Sequence, residues 1–236
     1  MNRLFFMTAA CLVLCLSVPA WAQGSLIPFR DPGDGPAATA TSQYSSGFQP
    51  VNATDGTTTM WTATEWMSAG NTHDGGPTDS HPAITFYFDG LYLLDHVVVT
   101  NYYGEDGGRG ARNINILVST NGIDFTSIFD QANPYTTLAR SMNQDWSPGQ
   151  NGKWVQAPPT IFDFDEGVWA VAVRFEILSN YFGVQFGDDC HTETTNGRSA
   201  TITGLTNAAF YGTKIPEPAT MTLLALGGLA LLRRRR

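Results

Sequence analysis

Cationic side chains are scarce in this chain: 13 Lys and Arg stand against 21 Asp and Glu in 236 residues. Five of the 13 lie at the two ends, so between Gln23 and Lys214 only 8 Lys and Arg face 20 Asp and Glu, a net charge of −12. Such a surface excludes nucleic acid as a partner, because phosphates need clustered cations. It suits calcium or neutral glycans. Cysteine is scarcer still. Cys11 and Cys15 lie in the N-terminal apolar run, which leaves Cys190 alone in the rest of the chain. No intramolecular disulfide can form there, and stability must come from a packed core or a metal. Cys190 lies next to Asp188, Asp189 and His191 but has no second cysteine at ligand spacing, so it reads as a loop thiol. Apolar stretches of helical period are absent between the ends, as is any repeat of roughly 20–50 residues. Catalytic signatures are missing too, with no Gly-x-Ser-x-Gly elbow and no His-Glu-x-x-His. His73, His81, His96 and His191 show no metal-ligand spacing. The chain therefore reads as non-catalytic.

The ends carry addresses. Met1-Asn2-Arg3 is followed by an apolar run over residues 4–18 and then by Ala20-Trp21-Ala22. A positive start, a short apolar core and an A-x-A step with Ala20 and Ala22 are the parts of a secretory signal peptide. Residues 1–22 are expected to be removed, so that the mature chain starts near Gln23. At the other end, Pro216-Glu217-Pro218 precedes an apolar stretch over residues 219–232 and the block Arg233, Arg234, Arg235 and Arg236. That stretch is shorter than the roughly 20 residues of a full membrane span, and the arginine block stays on the cytoplasmic side. Residues 214–236 closely resemble the PEP-CTERM sorting signal of bacterial exported proteins. The resemblance implies processing by an exosortase-type membrane enzyme near Pro218, transient inner-membrane anchoring, and delivery to the cell surface or an extracellular polysaccharide matrix. A plain tail anchor is the alternative.

What remains between the ends is rich in Gly, Thr, Asn and aromatics. Short alternating or β-branched runs recur at residues 84–88, 96–100, 114–118, 170–177 and 205–211, punctuated by Asp89-Gly90, Asn121-Gly122 and Glu166-Gly167. Short strands with regular turn signals indicate an all-β sandwich or barrel. Phe86, Phe88, Val97, Val99, Ile114, Ile116, Val118, Val171, Val173, Phe175 and Phe210 are the expected inward-facing residues. Residues 23–36 read as a lead-in segment.

Four patterns follow one another in order: Asn52-Ala53-Thr54-Asp55-Gly56 running on to Trp61; the strand pair 84–88 and 94–101; Arg109-Gly110-Ala111-Arg112 leading into Ser119-Thr120-Asn121-Gly122; and the closing Phe210-Tyr211-Gly212. Together they resemble the discoidin, or coagulation factor 5/8 type C, family of galactose-binding-like domains, over residues 37–213. The resemblance implies an antiparallel jelly-roll β-sandwich, with Trp61 in or beside the core. It also implies one structural calcium ion at Asp55, Thr57, Thr59 and Asn207. Thr57 stands where Asp or Asn is usual and Asn207 where Glu is usual, which removes two carboxylates from the set. Without an ion, Asp55 would cap the turn before Gly56.

Ligands of the resembled family bind at loops on one end of the jelly roll. Three long loops are candidates here, at residues 65–81, 101–112 and 180–198. A sugar needs an aromatic face and hydrogen-bonding groups. Trp66, Tyr102, Tyr103 and Tyr181 supply the first and His73, Asp106 and Arg109 the second. Carbohydrate or exopolysaccharide binding by a surface or matrix protein is thus the expected function. The alternatives are a structural or adhesive protein that binds other proteins, and a hydrolase with an unrecognised site.

Overall fold

The computed structural model describes residues 24–56, 65–69, 79–102, 108–140, 142–143, 154–155, 158–182, 184–187, 194–195, 198–199 and 201–216. Nine strands form one antiparallel sheet: β1 (Ser25–Leu26), β2 (Ala38–Ala40), β3 (Trp66–Met67), β4 (Ala83–Asn101), β5 (Asn113–Ser119), β6 (Thr126–Ser127), β7 (Thr136–Thr137), β8 (Thr160–Ile177) and β9 (Gly204–Lys214). The hydrogen-bonded order is β1-β9-β4-β8-β5-β6, with β2 also on β4, β3 on β9 and β7 on β5. A 3₁₀ turn over Pro50–Thr54 packs against β9.

The two long strands make the sandwich. One stretch of β4 and β8, Thr160↔Val99 to Ala170↔Tyr92, carries β9 on its outer edge; the next, Ala172↔Tyr87 to Glu176↔Ala83, carries β5 and β2. The ladder slips twice, once within the first stretch, between Asp163 and Val168, and once between the two stretches, between Ala170 and Ala172. The sequence signals Asp89-Gly90 and Glu166-Gly167 fall at these irregularities. They do not end strands but bend continuous ones, so the expected pair 84–88 and 94–101 is a single strand. Gly167 has φ +64°, a left-handed conformation that bulges favour in glycine. Asn121-Gly122 is a true turn: Gly122 has φ +75°, and the Asn121 side-chain oxygen accepts from the Ile123 and Asp124 amides at 2.9 Å.

The bend brings the inner faces together over a cluster of phenylalanines. The Phe210 ring lies 5.1 Å from Phe88, 5.3 Å from Phe86, 5.9 Å from Phe175 and 6.1 Å from Phe29. Each such aromatic pair contributes roughly 0.5–1.5 kcal/mol beyond its burial. Nine of the eleven residues expected to face inward are buried. Val118 is half-buried but packs on the core. Val171 is a correction: the slip beside it reverses the alternation, and it faces outward while Ala170 and Val173 are buried. The lead-in is part of the fold, with Ser25 and Leu26 paired to β9 and Ile27 buried.

β9 fixes the polarity of the molecule. It begins at Gly204, beside Met67 and the Arg109 carbonyl, and ends at Lys214, opposite Tyr92. At about 3.3 Å per residue those ends are roughly 33 Å apart. At the Lys214 end, Tyr92 Oη and Lys214 Nζ donate to Asp89 at 2.5 and 2.7 Å.

Candidate functional site

At the Gly204 end three loop segments are laced together. Arg112 N donates to Ser179 O at 2.7 Å, Leu138 N to Arg112 O at 2.8 Å and Tyr181 N to Gly110 O at 3.2 Å. Two buried asparagines supply the hydrogen bonds that no strand ladder provides. Asn101 Nδ2 donates to Ala111 O at 2.7 Å and to Ala139 O at 2.9 Å, while its Oδ1 accepts from Tyr102 N. Asn180 Nδ2 donates to Ile202 O, and its Oδ1 accepts from the Phe182 and Val184 amides. Buried main-chain groups require partners of this kind, so these loops are held rigidly. Neither asparagine stands out in the sequence, because Asn is ordinary in loops.

The predicted ligand residues separate here. Trp66 is a correction: it is 0% exposed, sits in the main core and donates Nε1 to Ser42 O at 3.0 Å. Its two-residue strand β3 pairs with β9, which turns the indole inward. Tyr102 is also corrected. It is 7% exposed and packs with Met67 and Ile202 in a small second cluster. Tyr181 does lie at the loop end, but its ring is not open. The Arg140 and Arg112 guanidinium carbons lie 5.6 and 6.0 Å from its centroid, and its hydroxyl donates to Leu138 O. Burial pushes the Tyr181 phenol up, and the two arginines pull it the other way. Arg109 is half-buried beside Gly110, its carbonyl accepting from Gly204 N at 3.0 Å. His73, Tyr103, Asp106 and Trp61 lie outside the described residues, as does Cys190.

Of the calcium set, Asp55 is exposed at the end of the 3₁₀ turn and Asn207 is nearly buried on β9, against which that turn packs. Thr57 and Thr59 lie outside the described residues. Of the sorting and cleavage positions, Pro216 is described; Glu217, Pro218, Arg233, Arg234, Arg235, Arg236, Ala20 and Ala22 are not.

Glu65 was not singled out in the sequence, yet it is buried immediately before β3. Burial pushes its carboxyl up to about 7, against about 4.3 in an unfolded chain. An acid whose folded value is raised opposes folding as pH climbs from the unfolded value to the folded one. In the presence of a chelator, Glu65→Gln is therefore expected to stabilise the protein above pH 7 by about 1–2 kcal/mol, solvent screening included. Below pH 4 it should change nothing. Thermal melting of both proteins across pH 4–8 tests this, and a shift of equal size at both extremes would refute it.

At the opposite end a shallow depression of about 330 Å³ is lined by Arg30, Asp34, Asp89, Asn121 and Val171. It lies beside the exit of β9 and away from the laced loops.

Residues 37–186, more than half of the chain, match the family model of the F5/8 type C domain. The chain belongs to the F5/8 type C domain family. Its jelly-roll sandwich is the fold expected for that family. The F5/8 type C match stops before β9, although β9 completes the sheet and contributes Phe210 to its core. Residues 214–236 match the PEP-CTERM protein-sorting motif, which marks the protein for export and cell-surface sorting. Among solved structures, the chain is similar to CBM32-3 from a family 31 glycoside hydrolase of Clostridium perfringens, at 19% identity over 75% of this chain and 92% of that one, with a TM-score of 0.48. It is also similar to an F5/8 type C domain from Bacteroides fragilis, at 14% identity over 80% and 98%, TM-score 0.48. A third is the family 32 CBM of C. perfringens NanJ, solved in complex with galactose, at 13% identity over 74% and 91%, TM-score 0.47. No curated protein matches the chain.

Proposed function

We propose that this F5/8 type C protein is a non-catalytic component of the cell surface or extracellular matrix that binds a glycan or exopolysaccharide through the loops at the Gly204 end. The observation that carries this reading is the hydrogen-bonded lacing of residues 108–112, 138–140 and 178–182 around Asn101 and Asn180, which sets Arg112 and Arg140 beside Tyr181. Loops held on a rigid scaffold are the usual place for binding, and guanidinium groups supply the fixed donors that sugar oxygens accept. The sorting segment would insert transiently in the inner membrane with its arginine block inside, and an exosortase-type enzyme would process it near Pro218. A glycan array probed with the full chain in detergent micelles tests the binding. Retention of at least one glycan class is expected, and an array empty of neutral and acidic glycans alike would overturn the proposal. A second reading, adhesion to a protein, is favoured by two large apolar side chains of β8 that face solvent, Ile161 at 62% and Trp169 at 53% exposed. It would gain if Trp169→Ser weakened surface attachment while glycan binding held.

We further propose a calcium ion joining the 3₁₀ turn to β9 through Asp55, Thr57, Thr59 and Asn207. Among the described residues no three His, Cys, Asp or Glu side chains group as a metal site. The ion would therefore rest largely on hydroxyl, amide and main-chain oxygens, which calcium accepts. Support comes from Glu65, a buried carboxyl one residue before Trp66, whose partner on β9, Leu205, is two residues from Asn207. A chelator is expected to lower the melting temperature, since an ion at 100 times its Kd stabilises by about 2.7 kcal/mol. An unchanged melt refutes the site.

A further inference from the structure

We propose that the outer face of the β1-β9-β4-β8 layer binds a second copy of this chain, in a parallel dimer whose twofold axis runs along the strands. This goes beyond the glycan-binding reading, and it gives Ile161 and Trp169 to a copy of the chain and not to a foreign protein.

Ladder register defines the face. Residues directly opposite one another across an antiparallel ladder point to one side of the sheet, and successive residues of a strand point to opposite sides. Leu94, Val97 and Phe210 point into the core, so three rows on β8 and β4 point out: Ile161 beside Val98, Asp163 beside His96, and Trp169 beside Leu93. Tyr211 and Leu26 extend the middle row across β9 and β1, and the Tyr211 ring stacks on His96 at 4.4 Å. Of the six large apolar side chains exposed among the described residues, three lie on this one face: Leu26, Ile161 and Trp169. Exposed apolar side chains scattered singly need no explanation, but a contiguous patch marks an interaction site.

The rows match a copy of themselves. A twofold axis along the strands, between β4 and β8, exchanges those two strands. It lays Trp169 over the partner's Leu93, Ile161 over the partner's Val98 and Asp163 over the partner's His96. Apolar then meets apolar and carboxylate meets imidazole, the self-complementarity that an isologous interface needs. No Lys or Arg stands in these rows to be buried without a partner. The same axis keeps both copies pointing one way. Both Lys214 ends, which lead into the sorting segments, lie at one pole and both sets of laced loops at the other. Two chains held on one surface can therefore pair, whereas an antiparallel pair would send its tails in opposite directions. Size sets the strength. Four strands about 4.8 Å apart, over the six residues from Leu93 to Val98 at about 3.3 Å each, give a flat patch of roughly 400 Å². That is about half of the roughly 800 Å² per partner in a standard interface, so the pair is reversible. Sharing one surface raises the effective concentration that a weak pair requires.

Sedimentation equilibrium of the full chain in density-matched detergent micelles reads the mass of the assembly. The wild-type chain should pass from monomer to dimer by about 100 μM. Trp169→Glu should weaken pairing at least about tenfold with an unchanged melting temperature, and Leu93→Lys should weaken it too. Ile123→Glu puts the same charge on a side chain 79% exposed in the turn after β5, away from this face. It should leave pairing within about twofold. Mixing reads the register: the Trp169→Glu and Leu93→Lys variants, each weakened alone, should pair with one another, because the new carboxylate then faces the partner's new ammonium. A wild-type chain still monomeric at about 100 μM would overturn the proposal. So would equal dimerisation of wild type and Trp169→Glu, which places the association in the tails, or a failure of the two variants to pair when mixed. The glycan array reads the loops separately, so either reading can fail while the other stands.

Discussion

Trp66→Ala is expected to destabilise the domain by about 3–5 kcal/mol, the range for truncating a fully buried aromatic, and so to consume much of the 5–15 kcal/mol that holds a typical domain folded. The indole is 0% exposed and packs within the main core. Its loss leaves a cavity and strips the Ser42 carbonyl of its donor. The damage should spread along β3, because Trp66 and Met67 are the only residues of that strand paired with β9. Chemical denaturation of the variant, followed by circular dichroism, measures this. Loss of glycan binding at unchanged stability would instead restore Trp66 as a ligand platform.

Phe210→Ala should cost as much, again about 3–5 kcal/mol. Phe210 comes from β9, Phe88 and Phe86 from β4, Phe175 from β8 and Phe29 from the stretch after β1, so its ring touches both layers of the sandwich and the N-terminal segment at once. Phe210→Leu keeps much of that volume and should cost under about 2 kcal/mol. A small loss in the alanine variant would show that the layers close without this residue.

Much of the sandwich is legible in the residues because a strand with one buried face writes its alternation into the chain. Phe86 and Phe88, Val97 and Val99, and Ile114 and Ile116 are all read correctly from period two alone. Val171 is misread because a slip in register reverses the alternation, and nothing local in an apolar run marks where a slip falls. Gly90 and Gly167 look like turn residues because a bend and a turn ask the same freedom of the backbone. Trp66 is misread because a strand of two residues has no period, so a core indole and an exposed one look alike in a Gly-rich stretch. The loop site was harder still. Arg112, Arg140 and Tyr181 are separated by 28 and 41 residues, and only Asn101, Asn180 and the main chain between them bring the three together.

The polarity of β9 has a mechanical side. Its C-terminal end leads into the PEP-CTERM sorting segment, and its N-terminal end lies beside the laced loops. If, as proposed, a polymer is held at those loops while the other end of the domain is held at the cell surface, a tug between them would run along the strand axis. Ladder hydrogen bonds lie perpendicular to that axis, and those between β9 and β4 extend from Leu205 to Lys214. Load would reach them together, in shear, and not one after another as when a strand is peeled from its end. A domain oriented this way resists drag best along the direction in which drag would arrive.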